Sequence, residues 1–114
     1  MTKMLCGYRV LDITQFVAGP TCSRLMAELG ADVIKVELTP IGDHARRSGL
    51  KSRKKEYANC TQSTYFAQHN HSKRSLAINL KSNEGQALIK KLIERSDVLV
   101  ENFAPGVIGR MGLS

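Results

Sequence analysis

Nothing in this chain approaches the roughly 20 consecutive apolar residues of a membrane-spanning helix, so no membrane span is expected. The start, Met1–Arg9, holds far too short an apolar stretch for a signal peptide. Cysteine is scarce: Cys6, Cys22 and Cys60 are present, with no C-x-x-C spacing. That speaks against a disulfide frame and a zinc site, and fits reduced thiols in the cytoplasm. Glycine is missing where a dinucleotide needs it. Gln15–Pro20 carries one glycine where G-x-G-x-x-G has three, and Pro20 removes a backbone N–H that a pyrophosphate would use. NAD is therefore disfavoured.

Acidic residues are short as well, 10 against 17 Lys and Arg, leaving a net charge of +7. The excess is concentrated in Arg46, Arg47, Lys51, Arg53, Lys54 and Lys55. Such a run reads either as a solvated basic loop or as an electrostatic approach for a phosphorylated ligand. It has no aromatic interleaving beyond Tyr57 and no helix-turn-helix pattern, which disfavours nucleic acid.

What is present is globular. Apolar residues make up 42% and charged residues 24%, and 114 residues suffice for one domain or part of one. Tyr8–Thr14 is a β-branched run that predicts a strand. Ala18–Pro20 is a turn that delivers Pro20 to the first helical position, and Thr21–Leu29 places Cys22, Leu25, Met26 and Leu29 at helical spacing. Gly30 stops that helix, and Ala31–Glu37 predicts a second, parallel strand.

A turn at Leu38–Asp43 leads into a long polar connection, about residues 39–64, with one short helical turn expected at Tyr65–Ala67. Ser75–Leu80 predicts a third strand with Leu76, Ile78 and Leu80 on one face. Ser82 caps an amphipathic helix through Arg95, Asp97–Phe103 predicts a fourth strand, and Pro105 opens a last helix. The alternation predicts an α/β fold, a mostly parallel sheet with flanking helices. Four strands without a closing partner predict an incomplete domain.

Ligands of open α/β sheets bind beyond the carboxyl ends of the strands. Thr14, Gln15, Lys81, Asn102 and Arg110 gather there, although strand ends and helix caps are polar in any case. The aspartates offer no obvious nucleophile. Asp32 and Asp97 open strands at the far end, Asp43 is expected to bond its own backbone in a turn, and Asp12 is expected to fix the neighbouring turn. His44, His69 and His71 read as solvated loop residues, and no catalytic constellation emerges.

Several ordered blocks match one family. Gly7-x-x-Val-Leu-Asp-x-Thr14, Ala18-Gly-Pro20 and Leu29-Gly-Ala-Asp-Val-Ile-Lys-Val-Glu37 resemble the N-terminus of the class III CoA-transferases. Gly42-Asp-x-x-Arg46, Lys73-Arg-Ser-Leu76, Asp97-Val-Leu-Val-Glu-Asn-Phe-x-Pro-Gly106 and Arg110-Met-Gly-Leu113 agree, while Lys51–Thr61 matches least. The family includes formyl-CoA transferase, carnitine CoA-transferase and alpha-methylacyl-CoA racemase.

The resemblance implies that residues 1–114 are the N-terminal part of a Rossmann-like, CoA-binding domain in a cytoplasmic, interlocked homodimer. It implies acyl-CoA and a small carboxylic acid as partners, coenzyme A carried as substrate, and no metal. Acyl exchange would run through an aspartyl mixed anhydride, with the nucleophilic Asp beyond residue 114 and this piece inactive by itself. A racemase-type member, and a non-catalytic nucleotide- or anion-binding module, remain alternatives. Carried over by position, the CoA contacts are Val17 and Ala18; Ile78, Asn79, Leu80 and Lys81; Asn102, Phe103 and Ala104; and Arg110. Two positions depart from the pattern. Formyl-CoA transferase has Gln in place of Val17, which implies chemistry other than the oxalate type, and Leu38 stands where an Arg is often found.

Overall fold

The computed structural model describes residues 2–49 and 63–113. Strands β1 (Arg9–Asp12), β2 (Asp32–Leu38), β3 (Arg74–Ile78) and β4 (Val98–Val100) form one sheet in the order β3-β2-β1-β4. Every pairing is parallel, with Val10 opposite both Val33 and Val98, and Lys35 opposite Ser75. Helices α1 (Ala18–Glu28), α2 (Thr64–Asn70), α3 (Asn83–Glu94) and α4 (Val107–Arg110) flank it, and a 3-10 helix spans His44–Arg47.

Alternation along the strands separates two cores. Leu11, Ile13, Val36 and Ile78 meet Ile89 of α3, with Leu92, Leu99, Phe103 and Ile108 packed around them. On the opposite face Val10 and Val33 meet Ala27 of α1, with Met26, Val98 and Val100 alongside. The parallel α/β architecture expected from sequence is what forms. Several boundaries move. β1 and β4 are shorter than the expected strands, and α1 begins at Ala18, so Pro20 is its third residue. Pro20 fits there because the first helical N–H groups have no intrahelical acceptor. α4 follows Gly106, in a left-handed conformation, so Pro105 lies outside it.

The inward face of α1 also differs from the expected Leu stripe. Gly19, Pro20, Ser23 and Ala27 are buried, whereas Cys22, Leu25 and Leu29 are exposed. Small residues let the helix lie close on the sheet; a Cβ at Gly19 would overlap the Thr14 side chain.

At α3, Ser82 Oγ accepts from Gly85 N–H at 3.0 Å, the expected cap. Gly85 is buried there, and a Cβ on it would overlap the Asn79 backbone carbonyl. Gly85→Ala should therefore destabilise the chain by about 1–3 kcal/mol, the usual cost of overpacking, because backbone must move. Urea denaturation with an unchanged midpoint would remove this contact from the account.

Candidate functional site

From β1 the chain moves to β2 and β3 on one side, then crosses to place β4 on the other side of β1. This reversal puts the topological switch point between the carboxyl ends of β1 and β4, where open α/β sheets hold ligands. The loops there are joined. Asn102 Oδ1 accepts from Gln15 N–H at 3.0 Å, and Asn102 Nδ2 donates to the Gln15 carbonyl at 2.8 Å. The side-chain amide thus satisfies both backbone groups of Gln15, as a neighbouring strand would.

Most of the residues singled out by position share this edge. Val17 and Ala18 are exposed at the start of α1, whose N-terminus has no side-chain cap. Asn79 and Lys81 are exposed beyond β3, and Asn102 and Ala104 beyond β4. Ile78 and Leu80, by contrast, are buried core residues, and Phe103 packs against the same core. Ile78 and Leu80 therefore have backbone, not side chains, to offer a ligand. Arg110 is exposed on α4, and a Cβ on Gly106 would come within 3.3 Å of its guanidinium.

A cleft of about 420 Å³ opens at the ends of β2 and β3, lined by Leu38, Pro40, Ile41, Arg46, Arg47 and Ala77 among others. It shares no residue with the β1 and β4 loops, so the topology and the cavity mark different parts of the same edge. Arg46 is not free to meet an anion in it. Its Nε and Nη2 donate to Glu37 at 2.8 and 2.7 Å, and its guanidinium lies 3.7 Å from the Phe66 ring centre. This corrects the reading of Arg46 as part of a solvated or ligand-seeking loop. Lys51, Arg53, Lys54 and Lys55, and about half of the long connection, lie outside the described residues.

Beneath the edge is a buried ionic layer that the sequence reading missed. Asp12 accepts from Thr14 N–H at 2.8 Å and from the Thr14 hydroxyl, while its other oxygen accepts from Ser23 Oγ at 2.6 Å and Lys73 Nζ at 2.8 Å. Lys73 also donates to the Pro20 carbonyl and to Asn70 Oδ1. Lys35 Nζ donates to the Thr14 carbonyl at 2.9 Å and pairs with Asp43 at 2.8 Å. Asp43 Oδ1 accepts from Ala45 N–H, its expected local bond, and from Phe16 N–H at 3.2 Å. One signal could have exposed this layer. Lys35 and Glu37 alternate in phase with Val33 in a central strand, so both point inward and need partners.

Burial pushes the Asp12 carboxyl up, but Lys35, Lys73 and the Ser23 hydroxyl outweigh it and leave its pKa below the ordinary 3.8. Burial likewise raises Glu37, and Arg46 with the Asp43 N–H brings it below the ordinary 4.5. Both are carboxylates with depressed folded-state values. Their contribution is therefore present above the unfolded values and lost as the pH falls through the folded ones. Thermal midpoints should hold from neutrality down to about pH 5 and then fall. A midpoint still flat at about pH 3 would contradict the layer.

Each of the four aspartates has a partner. Asp12 and Asp43 are buried in ion pairs, Asp32 is held by Arg9 and Arg74, and Asp97 accepts from Arg9 N–H. Two histidines are not plain loop residues: His69 lies within α2, and His44 stacks on Phe16. The edge offers exposed cations, backbone N–H groups at a helix start and an apolar turn, a set suited to binding.

Comparison with known proteins gives a consistent picture. The sequence model of CoA-transferase family III matches residues 5–114. The formyl-CoA:oxalate CoA-transferase of Bradyrhizobium diazoefficiens is 46% identical over 112 residues, which is 98% of this chain and 25% of that protein. A Rhodopseudomonas palustris protein of the same name is 47% identical over 114 residues, covering all of this chain and 25% of its own length. Among solved structures, a CAIB/BAIF family protein of Brucella suis superposes with TM-score 0.83 at 31% identity, over 100% of this chain and 29% of that one. A hypothetical protein of Mycobacterium tuberculosis gives TM-score 0.83 at 37% identity, over 98% of this chain and 28% of that one. The chain spans about a quarter of the length of the curated relatives it matches.

Proposed function

The chain belongs to CoA-transferase family III, and from that premise we propose that it forms part of the CoA-binding domain of an acyl-CoA:carboxylate CoA-transferase. The observation that carries this reading is the gathering of Val17, Ala18, Asn79, Lys81, Asn102 and Ala104 at the carboxyl edge of one parallel sheet. CoA would lie across that edge, with Lys81 and Arg110 on its phosphates and Asn102 and Phe103 bordering the crevice. Ile78 and Leu80 would contribute through their backbone.

In the proposed reaction a carboxylate attacks the thioester carbonyl and CoA thiolate leaves, giving a mixed anhydride. The thiolate attacks the enzyme-side carbonyl of that anhydride, releasing the donor carboxylate and leaving an enzyme–CoA thioester. The acceptor carboxylate then displaces CoA to form a second mixed anhydride, and the thiolate attacks its acceptor carbonyl to give the new acyl-CoA and the free enzyme carboxylate. The family resemblance implies an attacking carboxylate in another part of the enzyme. Exposed free thiols at Cys6 and Cys22 favour a reducing compartment such as the cytoplasm.

Calorimetric titration with CoA, run beside random RNA at two salt concentrations, tests the reading. Heat with CoA is the expected result. RNA binding with a steep salt dependence and no CoA heat would overturn it in favour of a basic binding module. Arg110→Ala should raise the CoA dissociation constant about ten- to a hundredfold, the range for a hydrogen bond to a charged group. An unchanged constant would remove Arg110 from the site.

A further inference from the structure

Phe16 is in an unusual place. Its φ of 66° is left-handed, a region that a bulky residue rarely enters and that Gly or Asn would fill at less cost. It is nevertheless 53% exposed, and Val17 beside it is 41% exposed. Two adjacent apolar side chains are thus left uncovered by the described residues at the carboxyl end of β1, beside the switch point.

The turn is fixed by its surroundings. Phe16 N–H is held by Asp43, which Lys35 pins from below, and Gln15 is held on both sides by Asn102. His44 stacks on the ring with 5.5 Å between centroids and 7° between planes. A strained conformation held by a buried ionic layer, and used to present an aromatic face outward, fits a ligand contact better than a fold requirement.

The phosphates of CoA would favour cations, and the charged groups that meet the Phe16 turn lie beneath it in ion pairs. The acyl end of a thioester has the opposite need. Resting on the acyl-CoA reading above, we propose that Phe16, backed by His44 and flanked by Val17, receives the acyl group. The class of donor is then an apolar acyl-CoA carrying several methylenes or an aryl ring, larger and less polar than a formyl or oxalyl group.

Calorimetry with octanoyl-CoA and with CoA on the wild-type chain, Phe16→Asn and His44→Ala tests this. Asn suits left-handed backbone, so the turn keeps its shape while the apolar face is lost. Octanoyl-CoA should bind about tenfold tighter than CoA to wild type, a gain typical of several methylenes on an apolar surface. Phe16→Asn should erase that difference with CoA affinity retained, and His44→Ala should narrow it. Equal wild-type affinities, or a difference unchanged in Phe16→Asn, would overturn the acyl contact and leave the CoA reading standing. Absence of binding by both ligands would overturn the two together. A concentration-dependent dimer abolished by Phe16→Asn would give this face to a second copy of the chain and overturn the proposal.

Discussion

Asp12→Ala should cost the chain about 3–5 kcal/mol, the range for breaking a buried ion pair by removing one partner. Asp12 is fully buried and its two oxygens serve Thr14, Ser23 and Lys73. Alanine leaves the Lys73 ammonium without its carboxylate, in a place where burial already lowers its pKa. It also strips the Thr14 N–H of its acceptor. Urea denaturation measures the loss, and a change below about 1 kcal/mol would show that the pair carries little. Adding Lys73→Met should recover much of the loss, because removing both charges is far less costly than orphaning one.

Lys35→Met should be of similar size, about 3–5 kcal/mol, for a related reason. Methionine keeps most of the volume of a side chain that is 2% exposed in the centre of β2. What is lost is the partner of Asp43, itself buried, and the donor to the Thr14 carbonyl. Asp43 also holds Phe16 N–H and Ala45 N–H, so the damage should reach the β1–α1 turn and the 3-10 helix. Hydrogen exchange should show faster exchange at both places, and protection equal to wild type would separate Lys35 from the turn.

The strand and helix order was legible because each element carries its own period, and the α/β class followed from it. Element ends were less so. Pro20 is tolerated at the first helical residue and at the third for the same reason, a missing N–H that neither position needs, so the start of α1 was ambiguous. β4 ends early because the Asn102 side chain takes over where a backbone ladder would continue. The face of α1 misled because close approach to the sheet selects small residues, leaving Leu25 and Leu29 outside.

The ionic layer was hidden for a different reason. Lys73 and Asp12 are 61 positions apart, and only the folded sheet brings them together. Arg46 looked like one member of a basic run, yet it is spoken for by Glu37. The edge that gathers Val17, Asn102 and Lys81 followed from strand direction; the apolar exposure of Phe16 did not, since φ is set by Asp43 from outside its own segment.

Asn102 has a further consequence. By holding Gln15 through both its oxygen and its nitrogen, it ties the loops after β1 and β4 to each other. A ligand cannot widen the gap between them without breaking two hydrogen bonds at once. A ligand proposed to lie across this edge would then meet two loops that shift together, so a change made at either loop should be felt at both.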